Sequence, residues 1–277
     1  MPNISRLTVR GKESRAGFPG PVLSTDISVD YRARKGVLRS ARIEVLAGEI
    51  VGLVGESGSG KSTLALAILR LLDRTGASVR GRIELLGEDR LQYSERQMRH
   101  VRGRLVSLVP QSPATALNPA LRIGTQLREA WRAHSDKPWA DQEPFFTQLL
   151  AIAGLPLGED FLRRFPGQIS VGQAQRVLII MALLHSPSLL IADEPTSALD
   201  VITQREVLDL LIRIAKENHM GMLFISHDLS AVAERCDRLA ILYAGEIVEC
   251  GPPKNLLSHP QHSYTKQLIA AAPKWVP

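Results

Sequence analysis

Cysteine is almost missing from this sequence: Cys236 and Cys250 are the two in 277 residues, and neither belongs to a CxxC pair. Zinc sites, iron–sulfur clusters and disulfide frameworks all need grouped thiols, so the pattern argues against each, and the expectation is two buried or idle thiols. Aromatic residues are scarce at 5%, which argues against the stacking surfaces that single-stranded nucleic acid uses. No continuous apolar run approaches the ~20 residues that a membrane-spanning helix needs. The opening MPNISRLTVRGKESRAGFPG lacks the apolar core of a secretory signal, so the chain is expected to stay in the cytosol. Internal repeats, heptad runs and low-complexity tracts are also lacking, which argues against solenoids and coiled coils.

What is present is ordinary globular material, 44% hydrophobic and 22% charged, in a chain long enough for one large α/β domain or two small ones. The net charge of +6 sits in clusters such as RARK at 32–35, RQMRHVRGR at 96–104 and RR at 163–164. Nucleic acid, an anionic membrane face and a plain solvated surface all fit such a charge, so charge alone decides nothing.

Hydrophobic period supplies the architecture. Residues 1–20 are polar and punctuated by glycine and proline, with ISRLTV as a short candidate strand. Alternation from Val22 to Ala47 predicts half-exposed strands. EIVGLVG (49–55) is a continuous apolar run ending in glycine, as a buried parallel strand would be, and LALAILRLL after GSGKST reads as an apolar helix. GRIELLGEDR (81–90) predicts a strand with a turn, Ser94 and Gln97 stand at capping-box spacing, and RLVSLVP (104–110) predicts another buried strand. Between Gln111 and Gln168 the period turns helical, an insertion within the α/β pattern. That pattern resumes with SLLIADEP, a helix from about Leu199 to Asn218, the strand GMLFISH and the strand–turn–strand RLAILYAGEIVECG. Helical turns packed on the domain are expected in the tail. Strands alternating with helices imply a mostly parallel sheet covered on both faces.

One stretch carries explicit chemistry. Gly55-Glu56-Ser57-Gly58-Ser59-Gly60-Lys61-Ser62, followed by Thr63, fits GxxxxGK[ST], a loop whose backbone N–H groups wrap phosphates because glycine permits the conformations required. A chance match in a chain of this length is about 1% by average composition, and the strand ahead and helix behind supply the context that the motif needs. Lys61 would reach the β- and γ-phosphates, Ser62 would ligate Mg²⁺, and the helix adds its positive end. Asp193, ending the strand SLLIAD, can hold the metal through water, and Glu194 beside it can orient or deprotonate an attacking water. Gln111 and His227 each end a predicted strand. In a parallel sheet the carboxyl ends of strands open on the ligand crevice, so all four groups are expected to converge there.

Ser170 and Gln173 have capping-box spacing before VLIIMALL. Gly172 is unexplained by that, since glycine costs stability in a helix's first turn unless a backbone must be approached closely. A helix start with a serine hydroxyl and an exposed glycine N–H is itself an anion site.

Taken together these stretches resemble the ATP-binding subunit of an ABC transporter. GESGSGKS resembles its Walker A loop, LLIADE its Walker B strand, Gln111 its Q-loop, SALD with Ser197 and Asp200 its D-loop, His227 its switch histidine, and ISVGQ (169–173) its LSGGQ signature. The match runs from Val22 to Gly251. It implies a P-loop NTPase fold of ABC type, with a RecA-like, mostly parallel core sheet, an antiparallel β subdomain and an inserted helical subdomain. The implied divisions are an extension at 1–20, a core at 21–111 and 180–250, a helical subdomain at 112–179 bearing the signature, and an extension at 251–277. ATP and Mg²⁺ are the implied cofactors. The resemblance assigns catalysis to Glu194, His227, Gln111 and Lys61, metal contacts to Ser62, Gln111 and Asp193, and adenine stacking to Tyr31. It also implies that Ser170, Val171, Gly172 and Gln173 serve the nucleotide held by a second ATPase subunit. Val171 departs from the first glycine of the signature, and a competent signature is still expected.

QSPATALNP, ADEPTSALDVITQREVLDLL and HPQHSYTKQLIAAAP further resemble the ATPases of peptide and nickel importers, although the cysteine cluster often found in their C-terminal extensions is absent. The implied partners are two permease subunits, a second ABC ATPase with a different chain favoured, and an extracytoplasmic binding protein indirectly. Nucleic acid is not among them. The implied place is the cytoplasmic face of the inner membrane, as a peripheral subunit. Two other readings stand beside this one. A non-transport ABC ATPase acting on nucleic acid or a cytosolic enzyme complex would suit the basic charge but usually carries coiled coils, zinc modules or a second cassette. A regulatory subunit that binds ATP and hydrolyses it poorly is opposed by Glu194 and His227.

Overall fold

A computed structural model of the protein describes residues 19–197 and 199–271. Residues 1–18 with the candidate strand ISRLTV, Ala198 of SALD, and residues 272–277 lie outside the described residues.

The first elements are β1 (Leu23–Asp30), β2 (Leu38–Val45), β3 (Ile50–Val54) and α1 (Lys61–Ile68), then β4 (Ser78–Leu85), β5 (Glu88–Asp89), α2 (Glu95–Val101) and β6 (Val106–Val109). Strands β1, β2, β4 and β5 form an antiparallel sheet in the order β2-β1-β4-β5. Along β1 every second residue is buried, so the alternation seen in the sequence marks a sheet with one covered face. Helix α2 starts on the expected box, with Ser94 accepting the Gln97 N–H.

The chain then leaves the sheet for α3 (Pro113–Ala116), α4 (Ile123–Arg132), α5 (Glu143–Ile152) and α6 (Glu159–Leu162). Trp131 organises this region, stacked on His185 at 5.0 Å and edge-on to Phe146 at 5.5 Å. Helix α7 (Val171–Leu183) leads back to β7 (Leu189–Asp193). It is continuous across the expected division at residue 179, and its buried residues from Val177 onward join the core beneath the sheet. The remaining elements are α8 (Val201–Glu217), β8 (Gly221–Ser226), α9 (Leu229–Ala233), β9 (Arg238–Tyr243), β10 (Glu246–Gly251), α10 (Pro253–Ser258) and α11 (Ser263–Ala271).

The second sheet runs β10-β9-β3-β8-β7-β6, parallel except for β10 against β9. Its central strands are buried on both faces, which explains their unbroken apolar runs. Successive side chains on these strands enter different cores. Ile50, Val54, Leu190, Ala192, Met222 and Phe224 pack with the helical region and α8, while Val51, Leu53, Leu189, Ile191, Leu223 and Ile225 pack with α1 and the antiparallel sheet. Cys236 is half-buried and burial pushes its thiol up to about 12, in keeping with an idle group. Among the described residues no helix is long and apolar enough to cross a membrane.

This strand order positions the site. Strands β3, β8, β7 and β6 are side-by-side neighbours, so the segments following their carboxyl ends, which carry residues 55–60, His227, Glu194 and Gln111, line one edge of the sheet.

Candidate functional site: a phosphate cradle at the sheet's carboxyl edge

The loop after β3 enters α1 through Gly60, an N-cap at φ 112° that offers no side-chain cap. The first intrahelical bond runs from Leu64 N–H to Gly60 O at 2.9 Å, so the N–H groups of Lys61, Ser62 and Thr63 have no helical acceptor. A β-carbon at Gly60 would lie 2.7 Å from Leu38 Cδ2 and 3.0 Å from Val37 O; glycine is required there both by conformation and by the strand β2 passing behind. Gly58 is also left-handed, at φ 79°. Ser59 Oγ is buried without a hydrogen-bond partner, as expected of a group whose partner is a ligand. Uncapped helix, left-handed glycines and orphaned hydroxyl together make a cradle fitted to phosphate oxygens. Glu56 and Ser57 are exposed on its rim, and Thr63 lies in the first turn of α1.

Lys61 is buried, and its ammonium donates to Gly55 O at 2.8 Å and Glu56 O at 2.9 Å. Burial lowers its pKa, and the carboxylates of Glu194, Asp193 and Glu56 work in the other direction. Asp193 ends β7 and accepts the Ser62 hydroxyl at 3.3 Å. Burial raises its carboxyl above the ordinary value, with the Ser62 bond opposing and the Glu194 charge reinforcing. A serine hydroxyl beside a carboxylate at the phosphate loop is a donor set suited to Mg²⁺, which takes hard oxygen ligands, few of them from protein.

Glu194 follows at φ 44°, a left-handed position that non-glycine residues seldom hold. Its N–H donates to Ile225 O at 2.9 Å, extending the β7–β8 ladder by one residue before the chain turns away. This sets its carboxylate between two strand-end side chains: Gln111 Nε2 donates to Oε2 at 3.1 Å, and His227 Nδ1 lies 3.2 Å from the same oxygen. The structure therefore brings together Lys61, Ser62, Gln111, Asp193, Glu194 and His227, as expected from the sequence. Tyr31 follows β1, half-buried, in a turn closed by paired backbone bonds with Arg34, whose guanidinium reaches Gly58 O at 3.4 Å. The turn carrying Tyr31 thus touches the cradle.

The signature lies elsewhere. Ser170 caps α7 in a full capping box: its Oγ accepts the Gln173 N–H at 3.1 Å, and its own N–H donates to Gln173 Oε1 at 3.1 Å. Val171 is 51% exposed, its side chain away from the core. Gly172 has an unforeseen neighbour. A β-carbon there would lie 2.8 Å from Thr203 Cγ2, so close packing of α8 within the same chain already favours glycine. Asp200 caps α8 by accepting the Thr203 N–H at 3.0 Å, and that bond holds its carboxyl below the ordinary value. Ser197 N–H returns to Glu194 O at 3.3 Å, linking the start of the D-loop to the candidate base. Ser170, Gly172, Arg176, Leu199 and Asp200 border one open depression of about 480 Å³ whose lining includes no residue of the phosphate loop.

Two residues escape a reading of the sequence. Arg34 stands there only as part of a basic cluster. Tyr264 stands only as part of the tail, yet its hydroxyl accepts the Glu56 N–H at 2.8 Å across 208 positions. The aromatic in HSYTKQL is the available signal, but no local period points from it to the loop.

Comparison with known proteins gives a consistent result. The ABC transporter family matches residues 38–197. The chain is 43% identical to the probable D,D-dipeptide transport ATP-binding protein DdpD of Escherichia coli K12 over 86% of its own length and 73% of the relative's. It is 41% identical to the oligopeptide transport ATP-binding protein OppD of Lactococcus lactis subsp. cremoris, over 82% and 67% respectively. The glutathione import ATP-binding protein GsiA of Shigella dysenteriae is 42% identical, but the chain spans only 39% of it. Among solved structures, CbiO1 of Clostridium perfringens superposes with a TM-score of 0.72 at 25% identity, covering 87% of this chain and 92% of that one. The cassette MJ0796 in a dimeric post-hydrolysis state with ADP and Pi does so with a TM-score of 0.72 at 24% identity, over 83% and 98%, a likeness of fold.

Proposed function

Because the chain belongs to the ABC transporter ATP-binding family, an ATPase family, we propose that it is the ATP-hydrolysing subunit of an importer for peptides or a related small solute, nickel or a metal chelate included. The names of its relatives, with dipeptides, oligopeptides and glutathione as their cargo, support that class. In this reading two permease subunits and a second ABC ATPase, a different chain by preference, complete the machine, an extracytoplasmic binding protein delivers the cargo, and the chain sits at the cytoplasmic face of the inner membrane. No nucleic acid is involved.

The single observation that carries the hydrolytic role is the Glu194 carboxylate held between Gln111 and His227 at the edge of the phosphate cradle. Residues 55–63 form the loop that holds the triphosphate, the unpaired backbone N–H groups of Lys61, Ser62 and Thr63 among its donors, Lys61 spreads positive charge over its β- and γ-oxygens, and Tyr31 supplies an aromatic face for adenine. Mg²⁺, when bound, neutralises charge on the same oxygens; Ser62, Asp193 and the side-chain oxygen of Gln111 are its candidate ligands. Glu194 accepts the proton of the attacking water, and His227 and Gln111 hold its carboxylate in register through the shared Oε2. Ser170 and Gly172 act on the nucleotide of the second subunit, so turnover requires closure of two subunits, transmitted to the permeases through residues 112–168.

Glu194→Gln tests the assignment. It keeps the shape of the side chain and removes the base, so turnover is expected to fall about 10²–10⁴-fold while ATP still binds. Unchanged turnover rejects Glu194 as the base.

A further inference from the structure

The C-terminal segment is tied to the phosphate loop through a single peptide plane. On the last strand of the sheet, Glu249 Oε1 accepts the N–H groups of Gln261 and His262, the latter at 2.7 Å. Burial works to raise this carboxyl, but hydrogen bonding, the backbone N–H groups of His262 and Gln261 included, prevails and holds it below the ordinary value. His262 Nδ1 then accepts the Tyr264 N–H at 3.2 Å. These contacts set the first turn of α11, and Tyr264 within it is turned inward, only 8% exposed. Its ring stacks on Tyr243, the last residue of β9, with centroids 4.2 Å apart and planes 22° from parallel.

The Tyr264 hydroxyl accepts the Glu56 N–H at 2.8 Å. That N–H belongs to the Gly55–Glu56 peptide, whose other end is the Gly55 carbonyl, and that carbonyl accepts the Lys61 ammonium at 2.8 Å. In a planar trans peptide the N–H and C=O point in opposite directions, so fixing one fixes the other. Glycine at position 55 leaves the plane free to rotate about its own ψ unless something holds it. Bonds at both ends of an amide also strengthen each other by polarisation.

Resting on the reading of Lys61 as the phosphate-binding cation, we infer that Tyr264 is a positioning residue for the nucleotide site: its hydroxyl locks the Gly55–Glu56 peptide in the orientation that offers Gly55 O to Lys61. The C-terminal helix is then part of the ATP site, although it contributes no group that touches nucleotide. Burial raises the phenol above its ordinary value, so the hydroxyl stays neutral and available as an acceptor.

Tyr264→Phe in the full chain removes one oxygen and keeps the stack on Tyr243. ATP affinity, measured by calorimetry in EDTA and again with Mg²⁺, is expected to weaken about three- to tenfold, the range of one lost hydrogen bond. Amide exchange followed by NMR is expected to quicken at Glu56 while α11 and β10 keep their protection. Affinity within twofold of wild type overturns the inference, as does an unchanged Glu56 exchange rate. Faster exchange throughout α11 overturns it too, because Tyr264 would then only be holding the helix down. Lys61→Ala is measured in parallel: retained ATP binding there would sink the nucleotide-site reading itself, whereas its loss beside an unaltered Tyr264→Phe would sink the role of Tyr264 alone.

Discussion

Gly172→Ala separates two reasons for a glycine in the signature. Inside the chain, the new methyl would meet Thr203 Cγ2 at 2.8 Å, whereas carbon atoms rest about 3.5–4.0 Å apart. Thr203 borders an open depression, so its side chain can swing aside at a cost of about 0.5–1.5 kcal/mol. Alanine in place of glycine in a helix returns up to about 1 kcal/mol. The two nearly cancel, and the thermal midpoint is expected to stay within about 3 °C of wild type. Turnover is another matter. If the second subunit's nucleotide must come close to the Gly172 N–H, a methyl group beside it keeps the phosphate off, and ATPase activity is expected to drop at least tenfold, about 1.4 kcal/mol of barrier. Thr203→Ser deletes the methyl that the alanine side chain would strike and leaves the Thr203 N–H bond to Asp200 available. Steady-state phosphate release by the single and double variants decides the case. Restoration of wild-type turnover in Gly172→Ala/Thr203→Ser would show that packing on α8 is the whole reason for the glycine, and the inter-subunit role would fall.

Val171→Gly restores the usual signature glycine at a half-exposed position; turnover is expected to change less than tenfold, and a larger increase would show that valine obstructs the site. Asp193→Asn is expected to raise the thermal midpoint of nucleotide-free, EDTA-treated protein at pH 7 while abolishing hydrolysis. The sign follows from the raised carboxyl: in the fold the charged form is disfavoured relative to the unfolded chain, so the native state carries a cost at pH above the folded value, and that cost vanishes below the ordinary value of 3.8. The gain should therefore shrink as pH falls toward that value. A lower midpoint at pH 7 would mean that Lys61 and Ser62 more than repay the burial of the charge.

The site was largely legible because its parts sit where apolar runs stop. IVGLV, LLIAD and GMLFIS end against Gly55, Glu194 and His227, and a five- or six-residue apolar run bounded by such residues reads as a doubly covered strand whose exit faces the crevice. What escaped depends on pairings between distant segments. Nothing local says that β3 lies between β8 and β9, that Thr203 backs Gly172, or that Tyr264 reaches Glu56. The division at residue 179 falls inside α7 because VLIIMALL contains no glycine or proline to mark a boundary, and the helix runs on from the signature into the core. Charge was a poor guide, as the sequence implied: Arg102 of the 96–104 cluster, like Arg70 outside it, is spent on backbone carbonyls and on a neighbouring acid, Glu95 and Asp73 respectively.

The chain holds two glycine-bearing helix starts, and their caps give them different work. At α1 the N-cap is Gly60 and nothing satisfies the N–H groups of residues 61–63, so an anion there removes an existing deficit and binds to the protomer alone. At α7 the Ser170–Gln173 box already closes both of its donors, and the helix is stable without any ligand. What it still offers is the Ser170 hydroxyl proton and the N–H groups of Val171 and Gly172, too few to hold a triphosphate without the rest of a cradle. A phosphate already carried by another protomer's loop can take those donors with no need for α7 to have bound it first. If the signature acts on a second protomer's nucleotide, as proposed, this capping pattern implies an order in which nucleotide binding at residues 55–63 precedes engagement of the signature, and a signature helix stripped of its box by Gln173→Ala would be expected to lose stability before it lost nucleotide.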